Sequence, residues 1–517
     1  MKLAAFIYAA SISPHALEGI DGGPSAYDRC LGFVSSLPSL ERIVVAEGKV
    51  GLPQGEVQKI RQDEWTVDSL FSGMEKAGEG MDAVLLAWAD EPFLDPALAE
   101  KMLVDFKRYR AEYCFADGYP VGLAAEVVSP RILSALRKLA SELPSEITRG
   151  SLFAAIQKDI NAFDIETDIS PVDLRDLRLE LACDTKRNTL LVNALAHAGV
   201  RDAPSALKII PERMELLRTL PAFIQVQIAS GCPQTCKLCP YPLFAPGVSE
   251  SGGLQKLKFD MSRDRFASVL DQVVALSEDA VIDISLWGEP SRHPDIGGLI
   301  DEVLVRPSLS LIVETSGIGW GEAFEKGLAN RIKERDAAGR IDWIVSLDAW
   351  SPELYERLRG EGYAEAYAFA DRLIALFPAH AHVQMVRSRE NEAELEAFWR
   401  GWKKKTDAVI VQKYSRQAGL LPELKVSDLS PLGRRPCWHL KRDLAILVDG
   451  RVPLCRDASH LELAMGNAFA PGGLAAAWKT GAAYHEKHIE ACAGGTASGG
   501  TLPEPCEACD EYYTYNA

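Results

Sequence analysis

Between residues 223 and 415 the chain alternates short apolar runs with amphipathic stretches. The runs are FIQVQIAS (223–230), AVIDISLWG (280–288), LSLIVETSG (309–317), DWIVSLDAW (342–350), AHVQMVRS (381–388) and DAVIVQKYS (407–415). Short apolar runs bounded by turn residues read as buried strands, and the segments SRDRFASVLDQVVALSE (262–278) and ENEAELEAFWRGWKKK (390–405) read as helices. The second of these opens acidic and closes basic, which suits the helix dipole. Strand, helix and strand in repetition argue for parallel β/α units. Six units are too few for a closed eight-stranded barrel, so an open, partial barrel is expected over residues 220–420. In such barrels the chemistry sits on loops after the C-terminal ends of the strands.

The polar motifs obey that rule. Cys232, Cys236 and Cys239 follow the first run in SGCPQTCKLCPYP, with spacing C-x3-C-x2-C. Three thiolates suit a four-iron cluster with one iron free of protein ligands, whereas four would saturate it. Half of a zinc site is the alternative, although no fourth cysteine or histidine lies close by in the sequence. Trp287-Gly288-Glu289-Pro290 follows the second run, Glu314-Thr315-Ser316-Gly317 ends the third, and Ser346-Leu347-Asp348 ends the fourth. Parallel strands would bring these segments to one rim.

Composition narrows the setting. A chain of 517 residues fits two or three domains, with 47% hydrophobic and 25% charged residues as in ordinary globular proteins. A net charge of −17 without a long basic run argues against nucleic acid and a membrane surface as partners. The N-terminal MKLAAFIYAASISP reads as a first buried strand rather than a signal peptide, and no segment is apolar enough to span a bilayer. A cytoplasmic location is expected. In that reducing setting the 11 cysteines are metal ligands or buried thiols rather than disulfides.

Cys30, Cys114 and Cys183 are solitary among apolar neighbours and read as core residues. The last group is Cys437, Cys455, Cys492, Cys506 and Cys509. LAILV-DG-RVPLC (444–455) reads as a hairpin, which with the terminal C-x2-C can gather four thiolates around a metal. The division is therefore an N-terminal domain over 1–200, a central one over 220–420 and a C-terminal one over 430–517.

Residues 1–200 alternate as well, in LAAFIYAA (3–10), RIVVAEG (42–48) and DAVLLAWADEPF (82–93), and suggest a doubly wound α/β layer. Asp90 follows one strand, Asp95 lies beyond it, and LRLELACDT (177–185) places Asp184 after another. Two such aspartates can hold a divalent ion for nucleotide phosphates, or serve as strand-end caps.

On these motifs the central region resembles the radical S-adenosylmethionine (SAM) superfamily. C-x3-C-x2-C after strand one is that family's cluster motif, and Gly288-Glu289-Pro290 matches its glycine-glycine-glutamate-proline motif. Leu238 stands where the family has an aromatic residue, and Trp287 replaces the first glycine. The resemblance implies a [4Fe-4S] cluster on Cys232, Cys236 and Cys239, with SAM on its open iron. It implies that Glu289 takes the methionyl ammonium, and that Ser316, Ser346, Gln384 and Arg387 line the ribose and carboxylate. The implied reaction is reductive cleavage of SAM to a 5′-deoxyadenosyl radical, which abstracts hydrogen from a substrate. An electron donor such as flavodoxin or ferredoxin is implied with it.

The tail is similar to a SPASM domain through Cys437, the DG turn, Cys455, MGN (465–467), Cys506 and Cys509. This implies one auxiliary [4Fe-4S] cluster on Cys437, Cys455, Cys506 and Cys509, with structural zinc as the alternative. Cys492, ahead of AGGTASGGT (493–501), is a substitute ligand or a bystander. The N-terminal region resembles sugar-nucleotide cytidylyltransferases in ADEPFLDP, YPVGLAAEVVSPRIL (119–133) and LACDTKRNTLLV. Its first loop, SISPHALEGIDGGPSAYDR (11–29), has no lysine and no arginine before Arg29, which favours a domain that binds a substrate or partner over an active transferase. This domain order resembles the spiro-SPASM family. Peptides or partner proteins are the implied substrates, sugars or sugar nucleotides the alternative, and a non-catalytic metal-binding interaction protein the third reading.

Overall fold

The computed structural model describes residues 1–53, 57–335, 337–427, 430–431, 433–492 and 502–514. Where the sequence suggests three domains, the chain divides into two compact units, Met1–Thr219 and Leu220–Ala517.

The first unit holds β1 (Leu3–Ala9), β2 (Leu40–Glu47), β3 (Gln58–Arg61), β4 (Ala83–Trp88), β5 (Tyr113–Asp117), β6 (Glu126–Val128) and β7 (Ile165–Ile169). They form one sheet in the order β3-β2-β1-β4-β6-β5-β7. Every contact is parallel except those of β6, which runs antiparallel to β4 and β5. All seven residues of β1 are buried. Leu3, Ala5, Ile7 and Ala9 face one apolar core, while Ala4, Phe6 and Tyr8 face another. A strand covered on both faces reads as a continuous apolar run, which is why LAAFIYA carries no polar alternation. Residues 177–185 do not form the expected strand; they make only an isolated bridge between Val121 and Glu180. Cys30, Cys114 and Cys183 are buried.

The second unit holds β8 (Phe223–Val226), β9 (Ala280–Asp283), β10 (Leu309–Thr315), β11 (Ile341–Ser346), β12 (Ala381–Arg387), β13 (Val409–Lys413) and β14 (Asp443–Ile446). The sheet order is β13-β12-β11-β10-β9-β8-β14, all parallel. Each β/α unit therefore steps one strand along the sheet. Helices Arg263–Ser277 and Leu395–Lys403 fall inside the two segments read as helical.

The tail departs from the sequence reading in one respect. LAILV-DG-RVPLC does not fold back on itself as a hairpin ladder. Its first half, β14, adds to the edge of the parallel sheet, pairing Asp443 with Phe223 and Ile446 with Val226. The second half, β15 (Arg451–Pro453), pairs antiparallel with β16 (Ala464–Asn467). Leu447 N donates to Arg451 O and Gly450 N to Leu447 O, both at 2.8 Å, across the Asp449-Gly450 turn. Ile224 and Val226 share one apolar core with Met465, Trp478 and Cys506. Among the described residues no helix is long and apolar enough to cross a membrane.

Candidate active site

The loop after β8 carries Cys232, Cys236 and Cys239, and backbone bonds fix its path. Cys232 N donates to Leu254 O at 3.2 Å, Thr235 N to Arg359 O at 3.1 Å, and Lys237 N to Leu358 O at 2.8 Å. The last two anchor the loop on the end of helix Pro352–Arg359. The three thiols line one pocket, and burial raises the pKa of each, that of Cys239 to about 12.

The segment after β9 is tied directly to that loop, because Glu289 N donates to Gly231 O at 2.8 Å. Gly288 sits at φ +83°, and a Cβ there would stand 2.1 Å from Ala229 O. Only glycine permits both the backbone conformation and the approach. The Glu289 carboxylate is buried, which raises its pKa, but hydrogen bonds from Thr315, from Ser316 by both backbone and side chain, and from Ser291 oppose that rise. Ser316 N lies at 2.8 Å, Thr315 Oγ1 at 2.5 Å and Ser291 N at 3.3 Å.

The ends of the next strands form a polar lattice. Glu314 Oε1 accepts from Ser346 Oγ at 2.7 Å and Gln384 Nε2 at 2.8 Å. Asp348 adopts φ +60°, an uncommon conformation for a non-glycine residue. Its Oδ1 accepts from Val386 N at 2.8 Å, and its other oxygen takes the Arg359 guanidinium. Arg359 Nε donates to Gln234 Oε1 at 3.0 Å, and Gln234 Nε2 donates to the Tyr355 hydroxyl at 2.7 Å.

Cys232, Cys236, Cys239, Gly288, Glu289, Ser316 and Ser346 all line this pocket. Pro290, Gln384 and Arg387 do not. Pro290 is buried and opens a turn, Gln384 sits behind Ser346 at 3.1 Å, and Arg387 is held by Glu392 at 2.6 and 2.7 Å. Glu392 therefore holds the guanidinium that the sequence reading assigned to a carboxylate of SAM. Asp348, Arg359, Lys413 and Arg456 border the pocket without having been singled out as binding residues. Asp348 lay in a named motif, but helical Arg359 gave no local signal.

A second pocket gathers Cys437, Cys455, Cys506 and Cys509 with His439, Asp457 and His488. Burial pushes the Cys437 thiol to about 12 and that of Cys506 to about 11. Cys492 ends helix Gly473–Cys492 and does not border this pocket. AGGTASGGT (493–501) lies outside the described residues. Arg456, next to Cys455, lines both pockets. Lys413, at the end of β13, reaches Glu511 at 2.5 Å and the Asp510 carbonyl at 2.7 Å, two residues just beyond Cys509. Among the described residues no group of three or more His, Cys, Asp or Glu side chains converges closely enough to hold one metal ion.

In the first unit, the strand-end acids gather on a cation of the chain itself. Arg149 lies 2.8 Å from Asp90, 2.9 Å from Glu91 and 3.7 Å from Asp184. Asp95 caps helix Pro96–Tyr109 and also accepts from Ala203 N at 3.0 Å. The two aspartates read as a divalent-ion pair thus already have a counter-charge in Arg149.

No protein-family model matches the chain. It is 37% identical over 373 residues to an uncharacterized protein of Treponema pallidum (strain Nichols), covering 71% of this chain and 98% of that one. Among solved structures, BtrN in complex with AdoMet and 2-DOIA is similar at 16% identity and a TM-score of 0.36, covering 56% of this chain and 94% of BtrN. Streptococcus suis SuiB bound to precursor peptide SuiA is similar at 14% identity and a TM-score of 0.40, covering 74% and 84%. A cytidylyltransferase from Leptospira borgpetersenii is similar at 15% identity and a TM-score of 0.35, covering 42% and 96%. At these scores the structural likeness is distant.

Proposed function

This chain belongs to the family of the uncharacterized Treponema pallidum protein, and we propose that it is a radical SAM enzyme. One observation carries the reading: Cys232, Cys236 and Cys239 share a pocket with Gly288 and Glu289 at the C-terminal ends of parallel strands. The donor set fits a four-iron cluster. Three thiols from one loop line the pocket, and among its described lining residues there is no fourth cysteine and no histidine. That set leaves one iron open to a small-molecule ligand.

When bound, the cluster and SAM supply an electron and a carbon-centred radical that takes a hydrogen atom from substrate. The chain supplies placement and shielding. Gly288 lets its segment approach Ala229, and the Glu289 carboxylate on the pocket wall is the group offered to an ammonium. Ser316 and Ser346 border the same space, and Arg359 with Asp348 fixes the loop that carries Cys236. Cys437, Cys455, Cys506 and Cys509 would hold an auxiliary four-iron cluster. With four thiolates it would pass electrons rather than bind substrate. Zinc is the competing occupant of that site. The substrate class is a peptide or partner protein, and a sugar or sugar nucleotide is the competing class.

Anaerobic reconstitution, reduction and chromatographic measurement of 5′-deoxyadenosine test the reading. The full chain is expected to form it from SAM, and the Cys232→Ala/Cys236→Ala/Cys239→Ala variant is not. No product above background from the reconstituted chain would overturn the proposal.

A further inference from the structure

Among the described residues Arg456 alone lines both cysteine pockets. It opens a short turn, Arg456–Ala458, directly after Cys455. Leu454 N donates to Leu463 O at 3.1 Å and ties the entry of that turn to the tail. From there the side chain reaches the wall of the other pocket, where its guanidinium carbon lies 5.5 Å from the centre of the Trp287 ring. The side chain is 29% exposed, so its charge is not sealed in the core.

That charge is not committed within the chain. A guanidinium carries five N–H donors, and among the described residues this one donates no hydrogen bond; its Nε is buried without a partner. Its ion pair with Asp457 is 3.5 Å long, against about 2.7–2.9 Å for a charge-assisted hydrogen bond. The other acids whose charge it feels are Glu314, Asp283 and Glu511, and each has other donors. Asp283 accepts from Gln225 Nε2 at 3.1 Å and Ser285 N at 2.9 Å, Glu314 from Ser346 and Gln384, and Glu511 from Lys413. Arg359 and Lys413, the other cations of the first pocket, are hydrogen-bonded to Asp348 and Glu511.

The field of Arg456 also reaches the first site. Burial and Cys236 raise the pKa of the Cys239 thiol, while a backbone hydrogen bond and the charges of Arg359 and Arg456 oppose that rise. A thiolate-ligated cluster is anionic, and each added electron makes it more so. A fixed cation beside it therefore favours the reduced form and raises its potential. Arginine suits that place because it keeps its charge when desolvated.

We propose that Arg456 is the shared counter-cation of the two cysteine sites and sets how readily the Cys232, Cys236 and Cys239 site takes its electron. It is a positioning residue that acts by charge. The inference rests on the radical SAM reading, because it needs a cluster on those three cysteines. It holds whether the tail takes iron or zinc, since zinc on four thiolates is anionic as well.

Potentiometric titration of the anaerobically reconstituted full chain tests it. Sodium dithionite with redox mediators supplies the electrons, and electron paramagnetic resonance follows the clusters. Added SAM identifies the signal of the first site, and iron analysis of the same samples shows that each variant is loaded. Arg456→Gln is expected to shift the one-electron equilibrium of the first site roughly tenfold toward the oxidised form, about 59 mV. Arg456→Lys, which keeps the charge, is expected to stay within roughly threefold of the parent. Asp457→Asn removes the acid that partly cancels Arg456 and is expected to shift the equilibrium the opposite way. A merely structural role for the turn would not give opposite signs at adjacent residues. Loaded Arg456→Gln with the parent's potential, or a lysine variant that shifts as far as the glutamine one, would overturn the inference and leave the radical SAM reading standing. If Arg456→Gln does not hold iron, Asp457→Asn decides, and a potential that stays or falls overturns the inference. A parent chain that takes up no iron would overturn both.

Discussion

Arg359 and Asp348 form a buried ion pair beside the cysteine loop, their side chains only 10% and 3% exposed. The same guanidinium holds Gln234, and the Arg359 carbonyl accepts from Thr235 N. One residue thus fixes the loop from both its side chain and its backbone.

Arg359→Gln leaves the Asp348 carboxylate buried without a cation. Removing one partner of a buried pair costs about 3–5 kcal/mol. Chemical denaturation is expected to show a loss of that order, and reconstituted protein is expected to carry fewer irons. A variant as stable as the parent would show that the pair does not support the loop.

Gly288→Ala places a methyl group against Ala229 O and holds a non-glycine residue at φ +83°. The backbone term alone is about 1–3 kcal/mol, and the clash adds to it. A lower melting temperature and a sharp fall in SAM cleavage are expected together. Gly339, where a Cβ meets nothing within 4 Å, is the control position, and its alanine variant is expected to behave as the parent.

Iron and acid-labile sulfide analysis separates the two cysteine sites. The full chain is expected to hold about eight irons, and Cys232→Ala/Cys236→Ala/Cys239→Ala or Cys437→Ala/Cys455→Ala about four. If the tail binds zinc instead, the full chain will hold about four irons with about one zinc.

Burial pushes Glu126 in the first unit up to about 7, against the hydrogen bond from the Tyr113 hydroxyl. An unfolded glutamate titrates near about 4.3. Between those values the folded chain binds more protons than the unfolded chain. The stability contribution is therefore full below about pH 4.3 and is lost as pH rises through about 7. Hydrogen exchange at β5 and β6, corrected for intrinsic rates, is expected to show protection falling across that window. Glu126→Gln is expected to flatten the slope.

Much of the second unit's sheet was legible because each strand carries a short, mostly apolar run bounded by turn residues, even where alternate positions are only partly buried, as in β10 and β11. The cysteines, Gly288 and Glu289 were legible because each follows such a run. Arg359 was not: it sits in a helix and acts on Asp348 across a loop, so no spacing betrays it. Gln384 and Arg387 lie on the correct strand, yet hydrogen bonds to Ser346 and Glu392 turn them to internal work. Residues 177–185 show how an apolar run misleads when no neighbouring strand offers a full ladder. The fate of β14 was equally hidden, since a turn signal reports that the chain reverses but not which strand its first half will join.

That last pairing has a consequence for how the molecule can be divided. β14 covers the edge of β8, the strand that leads into the cysteine loop. A chain cut before residue 443 would leave a row of backbone donors and acceptors bare at that edge, an invitation to self-association. The tail is thus a seam in the sheet, and it cannot be exchanged as a cassette without reopening the wall on which the cysteine loop is hung.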